Sequence, residues 1–168
     1  MGAALITGAS AGLGAEFARQ LAANGLDLVL VARRHDKLSE VQQQIESAHP
    51  TIGITLIEAD LSDPRAPEAI ATQVADAGIQ LHYLVNNAGA SGPRLLQDPD
   101  WPAHQAYLTP MMMSITELCH RLMPAMLAAG HGRVINVASV AGLIASGGDS
   151  HYGPSKAYVI ALSEALAL

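Results

Sequence analysis

The sequence predicts an α/β protein built on a doubly wound parallel sheet, and three observations carry that expectation. Short apolar runs alternate with longer stretches of helical periodicity along the whole chain. The short runs are apolar on both faces, as strands are when helices cover a parallel sheet from both sides. Half of the residues are apolar and only 14% are charged, against about 25% in an average soluble chain, so most of the chain must be buried. With 168 residues and no linker, repeat or low-complexity segment, residues 1–168 read as one domain with room for a sizeable core.

The elements follow in order. Ala3 to Thr7 is the first strand, and Gly12 to Ala23 a helix closed at Asn24-Gly25, where glycine suits a left-handed cap. Leu26 to Val31 is the second strand. Asp36 is placed to cap a helix with Leu38, Val41 and Ile45 on one face, ended by Pro50. Ile54 to Ala59 is strand three, and a helix over Ala66 to Ala77 leads through Gly78 to strand four, Tyr83 to Asn86. A long helix covers roughly Ala103 to Ala128, with Leu118, Leu122 and Met126 stepping by four. Val134 to Ala138 is strand five and Tyr152 to Leu168 the last helix. Such sheets usually have about six strands in the order 3-2-1-4-5-6. Here the chain stops in a helix after five, so a C-terminal strand-helix-strand part is expected to be missing.

Composition excludes several classes of function. A net charge of −6, with no basic cluster beyond Arg33-Arg34, argues against a nucleic-acid or anionic-membrane partner. The longest uncharged apolar stretch, Val134 to Gly148, carries polar residues and is shorter than the ~20 residues that span a bilayer. With Arg19 as its first cation and Ile6 where a myristoylation signal wants Ser or Thr, the sequence leads us to expect neither secretion nor lipidation. Cys119 is the single cysteine, which excludes an internal disulfide and leads us to expect a reducing, cytoplasmic compartment.

Three groups of residues carry chemistry. Thr7-Gly8-Ala9-Ser10-Ala11-Gly12-Leu13-Gly14 lies on the turn between the first strand and helix. Glycine there lets backbone approach a pyrophosphate, and the helix start offers it unpaired N–H groups. The same run fits a G-x-S-x-G elbow, which would make Ser10 a hydrolase nucleophile, although no earlier strand is present to supply an oxyanion loop. Tyr152 and Lys156 stand at i and i+4 on one face of the last helix, and Ser139 follows strand five at the carboxyl edge where such sheets bind ligands. No metal site is expected: Glu46-x-x-His49 and Glu117-x-x-His120 read as surface pairs, and the other histidines lack ligand spacing.

Taken together, the glycine run Thr7 to Gly14, Asp60-Leu61 after strand three, Asn86-Asn87-Ala88-Gly89 after strand four, Ser139, and Tyr152 with Lys156 resemble the short-chain dehydrogenase/reductase family over the whole chain. The resemblance implies a Rossmann-like fold and hydride transfer between a nicotinamide cofactor and a carbonyl or alcohol carbon. It implies Tyr152 as acid and base, Lys156 as the charge that helps the phenol ionise and holds the nicotinamide ribose, and Ser139 as the group that orients the substrate oxygen. By the same resemblance Thr7, Gly8, Ser10, Gly12, Leu13, Gly14, Asp60, Leu61, Asn87, Ala88 and Gly89 would surround the cofactor, together with Tyr152 and Lys156. Strand two ends at Ala32 rather than at an acid, and Arg33 and Arg34 follow. Guanidinium groups there suit a 2′-phosphate, so NADP is expected, with NAD as the alternative.

The chain departs from the family in two places. Position 111, 28 residues before Ser139, holds Met where the family often has a relay Asn, although Pro110 still removes a helical hydrogen bond and can leave a kink. The second departure is the absent C-terminal part. It implies a fragment of a longer enzyme that self-associates, as a homo-oligomer, through the apolar edge Arg133 to Val137 and the stripe Tyr158, Ala161, Leu162, Ala165 and Leu166. In that form the chain would reduce carbonyls poorly, which keeps open a cofactor-binding protein with weak or no turnover as the second reading.

Overall fold

A computed structural model describes residues 2–144 and 150–167. Five strands, β1 (Ala3–Thr7), β2 (Asp27–Ala32), β3 (Ile54–Glu58), β4 (Leu81–Asn86) and β5 (Arg133–Asn136), form one sheet in the order β3-β2-β1-β4-β5. Every pairing is parallel. The helices are α1 (Gly12–Ala23), α2 (His35–Ala48), α3 (Ala66–Asp76), α4 (Trp101–Leu108), α5 (Ser114–Ala128) and α6 (Tyr152–Ala165).

Strand alternation divides the core in two. Ala4 and Ile6 of β1 and Leu28 and Leu30 of β2 face Ala15 and Ala18 of α1 and Leu38, Val41 and Ile45 of α2. Their neighbours Leu5, Val29 and Val31 face the other way, onto Ile70 and Val74 of α3 and Leu118, Leu122 and Met126 of α5. Both faces of the inner strands are therefore buried, as their apolar composition requires. The edge strands β3 and β5 keep partly exposed positions. From β3 at one edge the chain returns to β4 on the far side of β1. The carboxyl ends of β1 and β4 therefore open onto the crevice that a doubly wound sheet offers to ligands.

Several boundaries differ from the sequence expectation. Strand β2 begins and ends one residue later, because the Leu26 amide closes α1 by donating to the Leu21 carbonyl. Strand β3 stops at Glu58, and β4 starts two residues early, at Leu81. Asp36 does not cap α2: Arg34 occupies that position without a side-chain bond, and Asp36 lies in the first turn, near the positive end of the helix. The long helix begins at Trp101 and is broken by a π-helical turn, Thr109–Met113. Strand β5 ends at Asn136, paired with the last residue of β4. The final residues of the Val134 to Gly148 stretch, 145–148, lie outside the described residues, and the last helix ends at Ala165 rather than at Leu168, closed by the Leu166 amide donating to the Leu162 carbonyl. Among the described residues no helix is long and apolar enough to cross a membrane.

Candidate functional site

The crevice above β1 and β4 is a cleft of about 650 Å³ whose lining includes Gly8, Ser10 and Leu13 as well as Ala106, Tyr107 and Pro110. Arg33, Arg34, Asp60 and Leu61 line it beside the glycine turn, and Asn87, Ala88 and Gly89 form its floor. Its volume lies in the ordinary range of small-molecule sites, about 300–1,000 Å³. The two guanidinium groups are exposed, at the end of β2 where the strand releases the chain. The Asp60 carboxylate is held by the amide and hydroxyl of Ser62, which bond Oδ1 at 3.0 and 2.8 Å.

The turn between β1 and α1 is built on two glycines at positive φ, Gly8 (67°) and Gly12 (55°). Gly14 is required for another reason. A Cβ there would stand 2.3 Å from the Gly8 carbonyl oxygen and 2.6 Å from Asn87 Nδ2. Backbone thus packs on backbone, and the start of α1 comes against the cleft through a turn of glycines, which suits an approaching pyrophosphate. Thr7 does not line this cleft. Its buried hydroxyl donates to Val85 O (3.4 Å) and accepts from the amides of Asn87 (3.0 Å) and Ala88 (3.1 Å), and Asn87 Nδ2 donates to Thr7 O (3.0 Å). These bonds stitch the ends of β1 and β4 together and fix the cleft floor.

A second cleft, of about 630 Å³, adjoins the first and shares Gly89, Ala90, Ser91 and Pro93 with it. Arg94, Ser150 and Tyr152 complete its lining, with Gly92. Lys156 is 5% exposed, its Nζ donates to Val137 O at 2.6 Å, and it stands 5.7 Å from the centre of the Tyr152 ring. Burial pushes the Lys156 ammonium below the ordinary lysine value. Ser139 precedes a short 3₁₀ turn, Val140–Gly142, and its Oγ accepts from the Ala141 amide at 3.2 Å. Gly142 lies against the first turns of α6: a Cβ there would meet Ala157 N and Lys156 C at 2.7 Å. That contact locks the Ser139 segment to the helix bearing Tyr152 and Lys156.

Pro110 produces the irregularity expected of it, in the form of a π turn rather than a simple kink. Within the turn, Met111 is 1% exposed and its Sδ would lie 3.7 Å from a Cβ on Gly89, whereas Met113 is 62% exposed. Met111 thus backs the cleft floor instead of lining the cleft. Met111→Asn is expected to change turnover little, while lowering stability by about 1–3 kcal/mol because the buried amide lacks partners. Parallel rate and melting measurements check both parts.

Sequence reasoning missed the Asn136 partner of Asn86 and a pair of histidines. The amides of Asn86 and Asn136 connect β4, β5 and α6, through Asn86 Nδ2 to Asn136 Oδ1 (2.8 Å) and Asn136 Nδ2 to Ser163 Oγ (3.0 Å). His104 and His151 meet in the interior, Nδ1 to Nε2, at 2.7 Å. Forty-seven residues separate those histidines, so no local spacing signals the pair.

Comparison with known proteins places this geometry. The family model for short chain dehydrogenases matches residues 2–168. A 7beta-hydroxysteroid dehydrogenase of Collinsella aerofaciens is 30% identical over 163 residues, 97% of this chain and 61% of that protein. A short-chain dehydrogenase from Sphingobium yanoikuyae, solved in complex with NADPH, superposes with a TM-score of 0.90 at 31% identity, covering 99% of this chain and 64% of that one. The bulky-bulky ketone specific alcohol dehydrogenase from Comamonas testosteroni gives 0.90 at 28% identity, over 99% and 66%. The chain spans about three fifths of the length of the curated relatives it matches.

Proposed function

The chain belongs to the short-chain dehydrogenase family, and from that membership we propose that it binds NADP(H) and exchanges a hydride between this cofactor and a carbonyl or alcohol carbon, with Tyr152 as acid and base. The observation that carries the reading is the continuity of the two clefts. One runs from Arg33, Arg34 and the glycine turn to Gly89, and the other from Gly89 to Tyr152. A dinucleotide laid along the first brings its far end to the phenol.

When bound, the nicotinamide supplies or accepts the hydride. The chain's own residues do the rest. Gly8, Gly12, Leu13 and Gly14 leave the start of α1 open to the pyrophosphate, Ser10 adds a hydroxyl, and the Asp60-Leu61 segment lies where an adenine would rest. Asn87, Ala88 and Gly89, stitched to Thr7, hold the floor rigid. The Lys156 ammonium stands 5.7 Å from the centre of the Tyr152 ring, the place from which the family resemblance has it assist the phenol. Tyr152 then donates its proton to the substrate oxygen in reduction and recovers it in oxidation, while Ser139 orients that oxygen. Burial makes the Lys156 charge costly and so easily lost as pH rises, so the assistance it gives Tyr152 fades from the alkaline side first.

The solved NADPH complex of a relative supports NADP over NAD, as does the exposed Arg33-Arg34 pair. Arg33→Ala is expected to weaken NADPH by about 1.5–3 kcal/mol, the worth of a charge-assisted hydrogen bond, and to leave NADH nearly unchanged. Fluorescence titration with both cofactors checks this, and equal losses would contradict it. An apolar substrate is supported by exposed apolar side chains that follow Arg94 and Ser139 in the chain: Leu95 and Leu96, and Val140, Leu143 and Ile144. A homo-oligomer is supported by the open edge of β5 and by the exposed Tyr158, Ala161 and Ala165 of α6. The buried thiol of Cys119 supports a reducing, cytoplasmic setting. NADPH consumption measured against a panel of small and bulky apolar ketones tests the assignment. A cofactor-binding protein would shift cofactor fluorescence without consuming it, and a serine hydrolase at Ser10 would react with a covalent serine probe.

A further inference from the structure

His104, on α4, is 2% exposed, and His151, the residue before α6, is 8% exposed. The partners fix their protons. His104 Nε2 lies 2.8 Å from the Asp98 carbonyl, which only accepts, so Nε2 carries the hydrogen. In the neutral ring Nδ1 is then the acceptor, and His151 Nε2–H donates to it across 2.7 Å. Trp101 stacks on the His104 ring, with centroids 5.7 Å apart, and Tyr107 packs 5.9 Å from that of His151.

This pair closes a circuit of hydrogen bonds. The Leu95 amide donates to Ser150 Oγ at 2.9 Å, His151 donates to His104, and His104 to Asp98. The Asp98 carboxylate then takes the Arg94 amide at 2.6 Å, which returns the circuit to the residue beside Leu95. Gly92, Pro93 and Arg94 of that segment line the same cleft as Tyr152. His151, moreover, gives α6 no side-chain cap. At a position where Ser, Thr, Asp or Asn ordinarily bonds the helix's own first turn, this chain directs the side chain to another element.

We propose that the His104–His151 pair is a positioning device for the reactive phenol: it clamps the start of α6 to α4 and to the 94–98 turn, so that Tyr152 and the 92–94 segment that shares its cleft are held as one body. The inference rests on the reading of Tyr152 as the proton donor. A merely space-filling pair would tolerate an apolar ring in place of either imidazole, whereas a clamp would not.

The test compares His104→Phe with His104→Gln in the full chain. Phenylalanine keeps the ring and removes both bonds; glutamine keeps one donor and one acceptor. Amide hydrogen exchange in the peptide spanning 150–157 and the kcat and KM for NADPH and ketone are measured for each. In His104→Phe, exchange at Tyr152 to Lys156 is expected to quicken at least tenfold and kcat to fall at least tenfold. KM for NADPH should hold within twofold, and His104→Gln should recover most of both losses. Wild-type exchange in His104→Phe, or equal losses in the two variants, would overturn the proposal. If His104→Phe does not fold, His151→Ala removes the donor from the other side and must quicken the same amides. If the wild-type chain consumes no NADPH with any ketone, the oxidoreductase reading fails, and the exchange rates alone still decide whether the clamp exists.

Discussion

Tyr152→Phe is expected to lower kcat by at least about a hundredfold, since a positioned acid or base contributes roughly 10²–10⁴ to such a step. The substitution removes one oxygen and keeps the ring. The first cleft, formed by the glycine turn, Arg33, Arg34 and the Asn87 to Gly89 floor, does not include Tyr152, so NADPH affinity should stay near that of the unchanged chain. Steady-state rates and cofactor titration on the same preparation separate the two quantities. A variant that retains turnover would move the proton chemistry to another residue. One that loses cofactor binding in parallel would mean that Tyr152 serves mainly to shape the cofactor site.

The second large effect is expected at Gly14. An added methyl would stand 2.3 Å from the Gly8 carbonyl oxygen, 2.8 Å from its carbon and 2.6 Å from Asn87 Nδ2. Backbone cannot swing aside as a flexible side chain can. Gly14→Ala must therefore either displace α1 or break the contact between Asn87 and the end of β1. Overpacking of this kind costs about 1–3 kcal/mol, and the displaced turn should lose most of its NADPH affinity. Gly12 is the internal control. A Cβ there meets nothing within 4 Å, but φ is +55°, so Gly12→Ala carries only the left-handed backbone cost of about 1–2 kcal/mol. Thermal melting and cofactor titration of both variants should rank Gly14→Ala as the more damaging for binding. The reverse order would place the phosphate contact at Gly12 instead.

Local signals made much of this fold legible. The bounds of β1 and α1 followed from an apolar run, a glycine-rich turn and a closing Asn24-Gly25, all within 25 residues of the start. The two-sided burial of the inner strands followed from their composition. What escaped depends on tertiary partners. Strand β5 ends at Asn136 because β4 ends at Asn86, beyond which one bond remains, from the Val137 amide to the Asn86 carbonyl at 2.9 Å. The beginning of β4 was hidden because His82 interrupts its apolar pattern. Pro110 announced an irregularity, but its π form arises from how α5 continues after the lost hydrogen bond, with Ser114 Oγ anchored to Leu61 O at 2.8 Å.

The candidate site was legible in the same uneven way. The glycine turn and the Arg33-Arg34 pair could be read from residue chemistry at a strand end. Ser139, Tyr152 and Lys156 were readable chiefly as a family resemblance, because one helical turn between a phenol and an ammonium is weak evidence by itself. Thr7 sits in the run but spends its hydroxyl on the β1 to β4 seam, which no spacing argument distinguishes from a cofactor contact. The histidine circuit had no sequence signal, because its members come from three segments that only the fold brings together.

Tyr152, which lines the second cleft, is proposed to complete a hydride transfer to a carbonyl carbon. That role is tested most directly by single-turnover transfer from NADPH deuterated at the reactive nicotinamide carbon to a bulky apolar ketone, with mass spectrometry of the product. Single-turnover conditions register even a slow step. The expected result is an alcohol carrying one deuterium at the former carbonyl carbon with the unchanged chain, formed at least about a hundredfold more slowly with Tyr152→Phe. Saturable NADPH binding without any deuterium in the alcohol would contradict the account and leave a cofactor-binding protein in its place.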